Sequence, residues 1–282
     1  MNVRSFVVHL VLIAIGIGIG AVAMLTGIRA SRNPEGFFYS VRVALGAPPQ
    51  DTSEANWLQR TYGPDRQSMH FEEWIIRDFF RGKTKGVFVD VGSADYKAAS
   101  NTWFLEDQLE WSGLAIDAQD RYRTGYEKHR PRTKFVTFFV SDRSHDNVRL
   151  FMDNQPWVAS SRREFTARYG AVQGAIDVPT ISLNDLLEGE RLTRFDFLSM
   201  DIELAQPKAL AGLDIQRFKP QLVCVEAHSE VRQQILDYFA TNHYVVVGKY
   251  LRVDQDNLWF MPVGSRVEAF PPKDKPADWL RR

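Results

Sequence analysis

The sequence predicts an α/β domain with one mostly parallel sheet that ends in an antiparallel hairpin. Three observations predict it. Uncharged runs rich in β-branched and aromatic residues recur along the chain, as in strands buried on both faces, and each ends at an acidic residue: Asp90, Asp117, Asp142, Asp201 and Glu226. Stretches of helical spacing separate these runs. The final two runs are divided only by a short loop around Asp254-Gln255-Asp256, which reads as a hairpin.

In chain order, Phe6 to Ile28 carries no charge. As a helix it would span about 34 Å, enough for a bilayer. Ala21-Val22-Ala23 resembles a signal cleavage site, but the apolar stretch is longer than the usual signal core, so an uncleaved anchor over 1–30 is expected. Gly16 and Gly20 form a G-x-x-x-G, compatible with a homodimer, although glycine is common in membrane helices anyway. Residues 31–56 hold Pro34, Gly36, Gly46, Pro48 and Pro49 and read as a linker. The folded domain is expected over 57–282.

Phe71 to Phe80 places Phe71, Trp74, Ile75 and Phe79 at helical spacing. Val87-Phe88-Val89 is the first strand, and Asp90-Val91-Gly92-Ser93-Ala94-Asp95 is the tight loop after it. Gly92 lets the backbone come close to a ligand. Ser100 is placed to cap a helix from about Asn101. The loop is not G-x-G-x-x-G, because Ala94 and Lys97 occupy the later glycine positions. Leu114-Ala115-Ile116 is the second strand, and Asp117 at its end suits the two hydroxyls of a ribose. Arg121 to His129 reads as a helix and Lys134 to Val140 as the third strand, ending at Ser141-Asp142.

Val148, Leu150 and Met152 then alternate like an exposed strand, followed by a turn at Gln155-Pro156-Trp157 and a polar stretch from Ser160 to Gln173. A long insertion at this point often covers an active site. Ser182 to Leu187 reads as a capped helix. Phe195 to Met200 is the fourth strand, and Asp201 and Glu203 beyond it should share a face. Pro207 suits the start of a helix over Ala209 to Leu213. Leu222 to Val225 is the fifth strand, followed by Glu226 and His228, then a helix from Glu230 to Ala240. Tyr244 to Tyr250 and Asn257 to Met261 are the closing strands.

The chain has 282 residues, 44% of them hydrophobic and 25% charged, which suits a full core. Thirty-five basic residues balance 35 acidic ones, so no global field draws nucleic acid. Cys224 stands alone in Leu222-Val223-Cys224-Val225 and reads as a buried apolar residue in a reducing compartment.

These segments together resemble the FkbM family of S-adenosylmethionine-dependent methyltransferases. The resemblance rests on FVDVGSADY, SNTWFLE, WSGLAID, FDFLSMDIE and LVCVEAH, and runs from about Glu73 to Pro262. Leu204 and Tyr96 stand where the family has glycine. The resemblance implies a Rossmann-like class I methyltransferase sheet of seven strands. It implies that Asp90, Gly92 and Ser93 cradle the methionine end of S-adenosyl-L-methionine, that Asn101 and Thr102 shape that pocket, that Asp117 holds the ribose and that Asp142 lies near the adenine. The reaction centre then falls over strands four and five, gathering Asp201, Glu203, Glu226 and His228. His228 is favoured there as the general base by its intrinsic pKa of about 6.5, with Glu203 orienting. The same four could bind a divalent metal, though carboxylate plus imidazole suits magnesium or manganese only partly, and none is assigned.

The expected acceptor is a hydroxyl on a small molecule, glycan or lipid-linked compound, and the expected location is a single-pass membrane protein with its domain in the cytoplasm. Tyr96 and Leu204 motivate a rival reading, a tethered cofactor-binding or scaffold domain without catalysis. A nicotinamide oxidoreductase is opposed by the missing glycine fingerprint and by the closing hairpin.

Overall fold

The computed structural model of the protein describes residues 53–153 and 158–270. The expected anchor, most of the linker and the turn at 155–157 lie outside the described residues. Among the described residues no helix is long and apolar enough to cross a membrane.

Two helices, α1 (Ser53–Tyr62) and α2 (Glu72–Phe80), precede β1 (Val87–Val91). Alternation then follows: α3 (Trp103–Leu109), β2 (Ser112–Asp117), a short 3-10 turn, α4 (Arg123–His129) and β3 (Thr133–Thr137). An insertion supplies β4 (Phe139–Ser141), β5 (Asn147–Met152), β6 (Ala159–Ser160), α5 (Arg163–Tyr169) and β7 (Gly174–Ser182). The main pattern resumes with α6 (Leu183–Gly189), β8 (Phe197–Met200), α7 (Gln206–Ala211), α8 (Ile215–Phe218), β9 (Leu222–Glu226), α9 (Arg232–Thr241), β10 (Tyr244–Val246) and β11 (Asn257–Pro262).

The main sheet has seven strands in the order β10-β11-β9-β8-β1-β2-β3. Only β11 runs antiparallel to its neighbours, as the closing hairpin predicts. Successive strand residues point to opposite faces, and both faces are buried. Phe88, Phe197, Cys224 and Trp259 pack with Trp74 and Trp111 on one side. Val89, Leu198, Met200, Val223 and Val225 pack with Leu210, Ile235 and Phe239 on the other.

Lys134 to Val140 is not one strand. Phe138 N–H donates to the Asp117 carbonyl (3.0 Å), which ends the β3 ladder. The chain then crosses to a second sheet of order β4-β7-β5-β6, where Phe139 packs on Leu150 and Val178. The long strand β7 is a further element of that sheet. Its alternation is interrupted by Pro179, which costs nothing here because β5 alone flanks that position and β4 pairs only from Thr180. The strand expected over Tyr244 to Tyr250 stops at Val246 and turns into a 3-10 helix, Gly248–Tyr250.

Beneath the β1 loop lies a buried cation. Arg130 is 2% exposed, and its guanidinium pairs with Glu106 at 2.5 Å. It also donates to the carbonyls of Tyr96 (2.9 Å) and Thr102 (3.1 Å) and to the Thr133 hydroxyl (3.2 Å). One side chain thus fixes the loop, the start of α3 and the start of β3.

The tightest approach in the domain is between two loops. Gly92 has φ +81°, and a Cβ there would lie 1.7 Å from the Asp201 carbonyl oxygen. The backbone forbids a side chain at this point for two independent reasons, left-handed conformation and contact. Gly92→Ala is expected to destabilise the domain by at least about 2 kcal/mol, read as a shift of the urea midpoint. An unchanged midpoint would show that the two loops can part without cost.

Candidate active site

The site is built from the loops at the carboxyl ends of β1, β2, β8 and β9. In the β1 loop, the N–H groups of Gly92 and Ser93 both donate to the Ile116 carbonyl (2.8 and 3.1 Å). Asp95 accepts from the N–H groups of Lys97 and Ala98 (3.0 and 2.8 Å), closing the turn. Ser100 Oγ accepts from the N–H groups of Thr102 and Trp103, so the serine caps α3 as expected, though the helix begins at Trp103. The Tyr96 ring stacks on His129 (4.6 Å) and faces Gly125, so its bulk is spent against α4.

Asp90 is buried and accepts a hydrogen bond from the Thr102 hydroxyl at 2.8 Å. Burial holds its carboxyl above the usual range, against the pull of Thr102 and Arg130. Asn101 donates to the Ser199 hydroxyl of β8 at 3.1 Å. Asp90, Asn101 and Thr102 are thus brought together where β1 meets β8. Ser93 is buried beside them, and its hydroxyl has no hydrogen-bond partner among the described residues. An orphaned hydroxyl in a loop of this kind fits a polar ligand.

Asp117 accepts from Ala94 N–H (3.0 Å) with one oxygen and from Gln119 N–H (2.8 Å) with the other. It therefore ties the β1 loop to the β2 loop. Burial pushes its carboxyl up to about 6, against those two hydrogen bonds. Next to it opens a cavity of about 220 Å³ lined by Gln119 and Arg121 from the β2 side and by Met152, Asp153, Gln173 and Gly174 from the insertion. Asp142 does not join this group. It lies exposed past β4, beside Ser141, Arg143 and the end of α7. The displacement follows from the break at Phe138, which carries Asp142 into the second sheet.

The four strand-end residues do meet. His228 Nε2 is 2.8 Å from Glu226 and 3.5 Å from Glu203. The expectation that Asp201 and Glu203 share a strand face is replaced by a different geometry. β8 ends at Met200, and Glu203 and Leu204 both take left-handed backbone, at φ +51° and +73°. Left-handed backbone at Leu204 explains why glycine suits that position in the family it resembles. The turn swings Glu203 toward His228, and the Ser160 hydroxyl holds the Glu203 carbonyl at 2.9 Å. Phe165 of α5 sets its ring edge against the imidazole (5.0 Å). The insertion therefore packs over the cluster, as its place in the chain predicts.

Electrostatics here differ from those of isolated groups. Burial alone would lower His228, but contacts with Glu203 and Glu226 outweigh it and push the imidazole up to about 11. The intrinsic value that favours His228 as a base is therefore not the value its surroundings give it. Burial, then the Asp201 carboxylate, pushes Glu203 up to about 7. Asp201 keeps exposed surface at the rim, yet crowding by protein and by Glu226 raises its carboxyl well above the usual range. Glu226 is raised by burial and by Glu203.

Gln206, fully buried at the start of α7, donates to Glu226 at 3.2 Å. Neither Gln206 nor Arg130 carries a sequence signal of its role, since each is one polar residue beside a helix.

A family model described as the methyltransferase FkbM domain matches residues 90–246. No curated protein matches the chain. Among solved structures, a precorrin-6Y C5,15-methyltransferase from Geobacter metallireducens is 11% identical, with 63% of this chain and 79% of that one covered and a TM-score of 0.37. A precorrin 8W decarboxylase from Methanobacterium thermoautotrophicum is 11% identical over 71% of this chain and 93% of that one, with a TM-score of 0.39. An O-methyltransferase from Bacillus cereus, solved in complex with SAH, is 12% identical over 76% of this chain and 91% of that one, with a TM-score of 0.37. The family match spans more than half of the chain and includes the β1 loop, Asp117 and the whole strand-end cluster; the chain belongs to the FkbM methyltransferase family and is an S-adenosylmethionine-dependent methyltransferase.

Proposed function

We propose that this enzyme methylates a hydroxyl oxygen on a small molecule, glycan or lipid-linked acceptor. The observation that supports this most is the adjacency of two unlike sites. The orphaned Ser93 hydroxyl and the β1 loop lie on one side of the Gly92–Asp201 contact, and the carboxylate–imidazole cluster on the other. When bound, S-adenosylmethionine supplies a methyl group already activated by the sulfonium charge. Toward it the chain offers Ser93, Asn101 and Thr102, with Asp90 beneath fixing Thr102. Asp117 retains lone pairs for ribose hydroxyls beyond the two backbone bonds it accepts. The cavity beside Asp117 takes over the role expected of Asp142 as the place of the base. Asp201, Glu203, Glu226 and His228 act as a unit on the acceptor, holding its hydroxyl and taking its proton.

The uncharged run Phe6 to Ile28 supports a form held at a membrane, with the domain on the cytoplasmic side where the methyl donor is made. A reporter fused to the carboxyl terminus is expected to be active only inside the cell; activity only outside would reverse this topology.

Asp117 takes on its charge as the pH rises through about 6, and a charged acceptor binds hydroxyls more strongly than a neutral one. Affinity for S-adenosylmethionine is therefore expected to rise by about tenfold or more across that pH, one charged hydrogen bond being worth about 1.5–3 kcal/mol. In Asp117→Asn the step should vanish. Calorimetry from acid to neutral pH checks it, and a flat wild-type profile would take Asp117 off the ribose.

Glu203→Gln and His228→Asn should leave donor affinity near that of the wild type. Methyl transfer should fall by about 10²–10⁴, the usual worth of positioned proton transfer. The assay first needs an acceptor, found by screening hydroxylated compounds and lipid extracts with labelled donor. Wild-type turnover in both variants would make the cluster structural.

A further inference from the structure

His228 Nε2 lies 2.8 Å from Glu226 Oε1 and 3.5 Å from Glu203 Oε2, yet it is aligned on neither oxygen as a hydrogen bond. Glu203 Oε2 likewise has no hydrogen-bond partner among the described residues. One donor atom from each of the three side chains lies within 4.8 Å of the others. A further observation points to the same place. Gln206 is fully buried and gives its amide N–H to Glu226 Oε2 at 3.2 Å, while its carbonyl Oε1 has no partner among the described residues. Glu203 Oε2 and His228 Nε2 stand 3.5 Å apart without satisfying one another, with Glu226 Oε1 2.8 Å from the same nitrogen, and such a gathering calls for a group between them.

The spacing selects the kind of group. Ligand atoms on adjacent corners of an octahedral ion with bonds of about 2.1 Å stand about 3 Å apart. The two separations at Nε2 bracket that value. We propose that Glu203, Glu226 and His228 form a binding site for a hard divalent cation, of which manganese fits the donor set best, with Gln206 orienting Glu226 and Asp201 at the rim. Carboxylates favour magnesium and manganese, and manganese also accepts an imidazole. The seat is held from outside the main sheet as well. The Ser160 hydroxyl grips the Glu203 carbonyl, and the Phe165 ring edge braces the imidazole. Resting on the reading above, the cation would bind the acceptor oxygen and make its hydroxyl easier to ionise.

The test uses the full chain, stripped with chelator and titrated with Mn²⁺ alone while free Mn²⁺ is followed by electron paramagnetic resonance. One saturable Mn²⁺ per chain is expected. Glu226→Gln and His228→Ala should each weaken it by about tenfold or more, and Gln206→Leu by about tenfold as an orienting neighbour. The sign at His228 is decisive. If the cluster were only a negative pocket with an imidazolium inside, removing that positive charge would tighten Mn²⁺ binding. Equal or tighter binding in His228→Ala overturns the proposal, as does a wild type without saturable binding. Donor affinity measured on each variant reports that the β1 loop is intact; should His228→Ala not fold, Glu203→Gln carries the same expectation of a tenfold loss. Failure of the wild type to bind S-adenosylmethionine while Mn²⁺ still binds would overturn the methyl-transfer reading and leave the cation site standing.

Discussion

The approach of the Asp201 carbonyl to Gly92 is the constraint on which the site depends. β1 and β8 are adjacent strands, so the loops leaving them compete for the same space. Glycine resolves the competition by giving up its side chain. The β1 loop and the strand-end acids can then begin side by side. Asp117 adds a second tie by holding the β1 loop to the β2 loop with one carboxylate. Arg130 holds the same loop from below.

Most of the sheet was legible in the residues. Uncharged runs ending in an acid mark β1, β2, β8 and β9, and the acids at β1 and β2 are buried with hydrogen-bond partners of their own. Ser100 and Ser182 announce their helices, and both accept the expected backbone N–H groups. Features that depend on distant partners were less visible. β3 stops after Thr137, where Phe138 N–H on the Asp117 carbonyl is its last tie to β2 and the chain leaves for the second sheet. Asp142 consequently ends up away from Asp117. Strand periodicity put Asp201 and Glu203 on one face, but it could not foresee two consecutive left-handed residues, one of them a buried leucine. Gln206 and Arg130 matter through what surrounds them, so composition and spacing were silent about both.

The insertion between β3 and β8 supplies walls to both halves of the site. Met152, Asp153, Gln173 and Gly174 close the cavity beside Asp117. Ser160 and Phe165 lean on Glu203 and His228. One module therefore touches both the cavity lined by Gln119 and the strand-end cluster. Changes within it can reshape both walls while the strand ends stay as they are, because loops vary on a fixed scaffold.

The order of the last three strands bears on how the chain assembles. β11 is the final strand to be synthesised, yet it lies between β9 and β10. Until it arrives, β9 presents an open apolar edge and β10 has no neighbour to pair with. Glu226 is at the end of β9 opposite Asn257 of β11, so the Glu226–His228 side of the cluster is framed only when that strand slots in. An emerging chain therefore carries an open, unfinished sheet edge between the making of β9 and that of β11. Loss of even a short stretch through β11 would leave the β1 loop formed, an exposed β9 edge and Glu226 without its neighbouring strand.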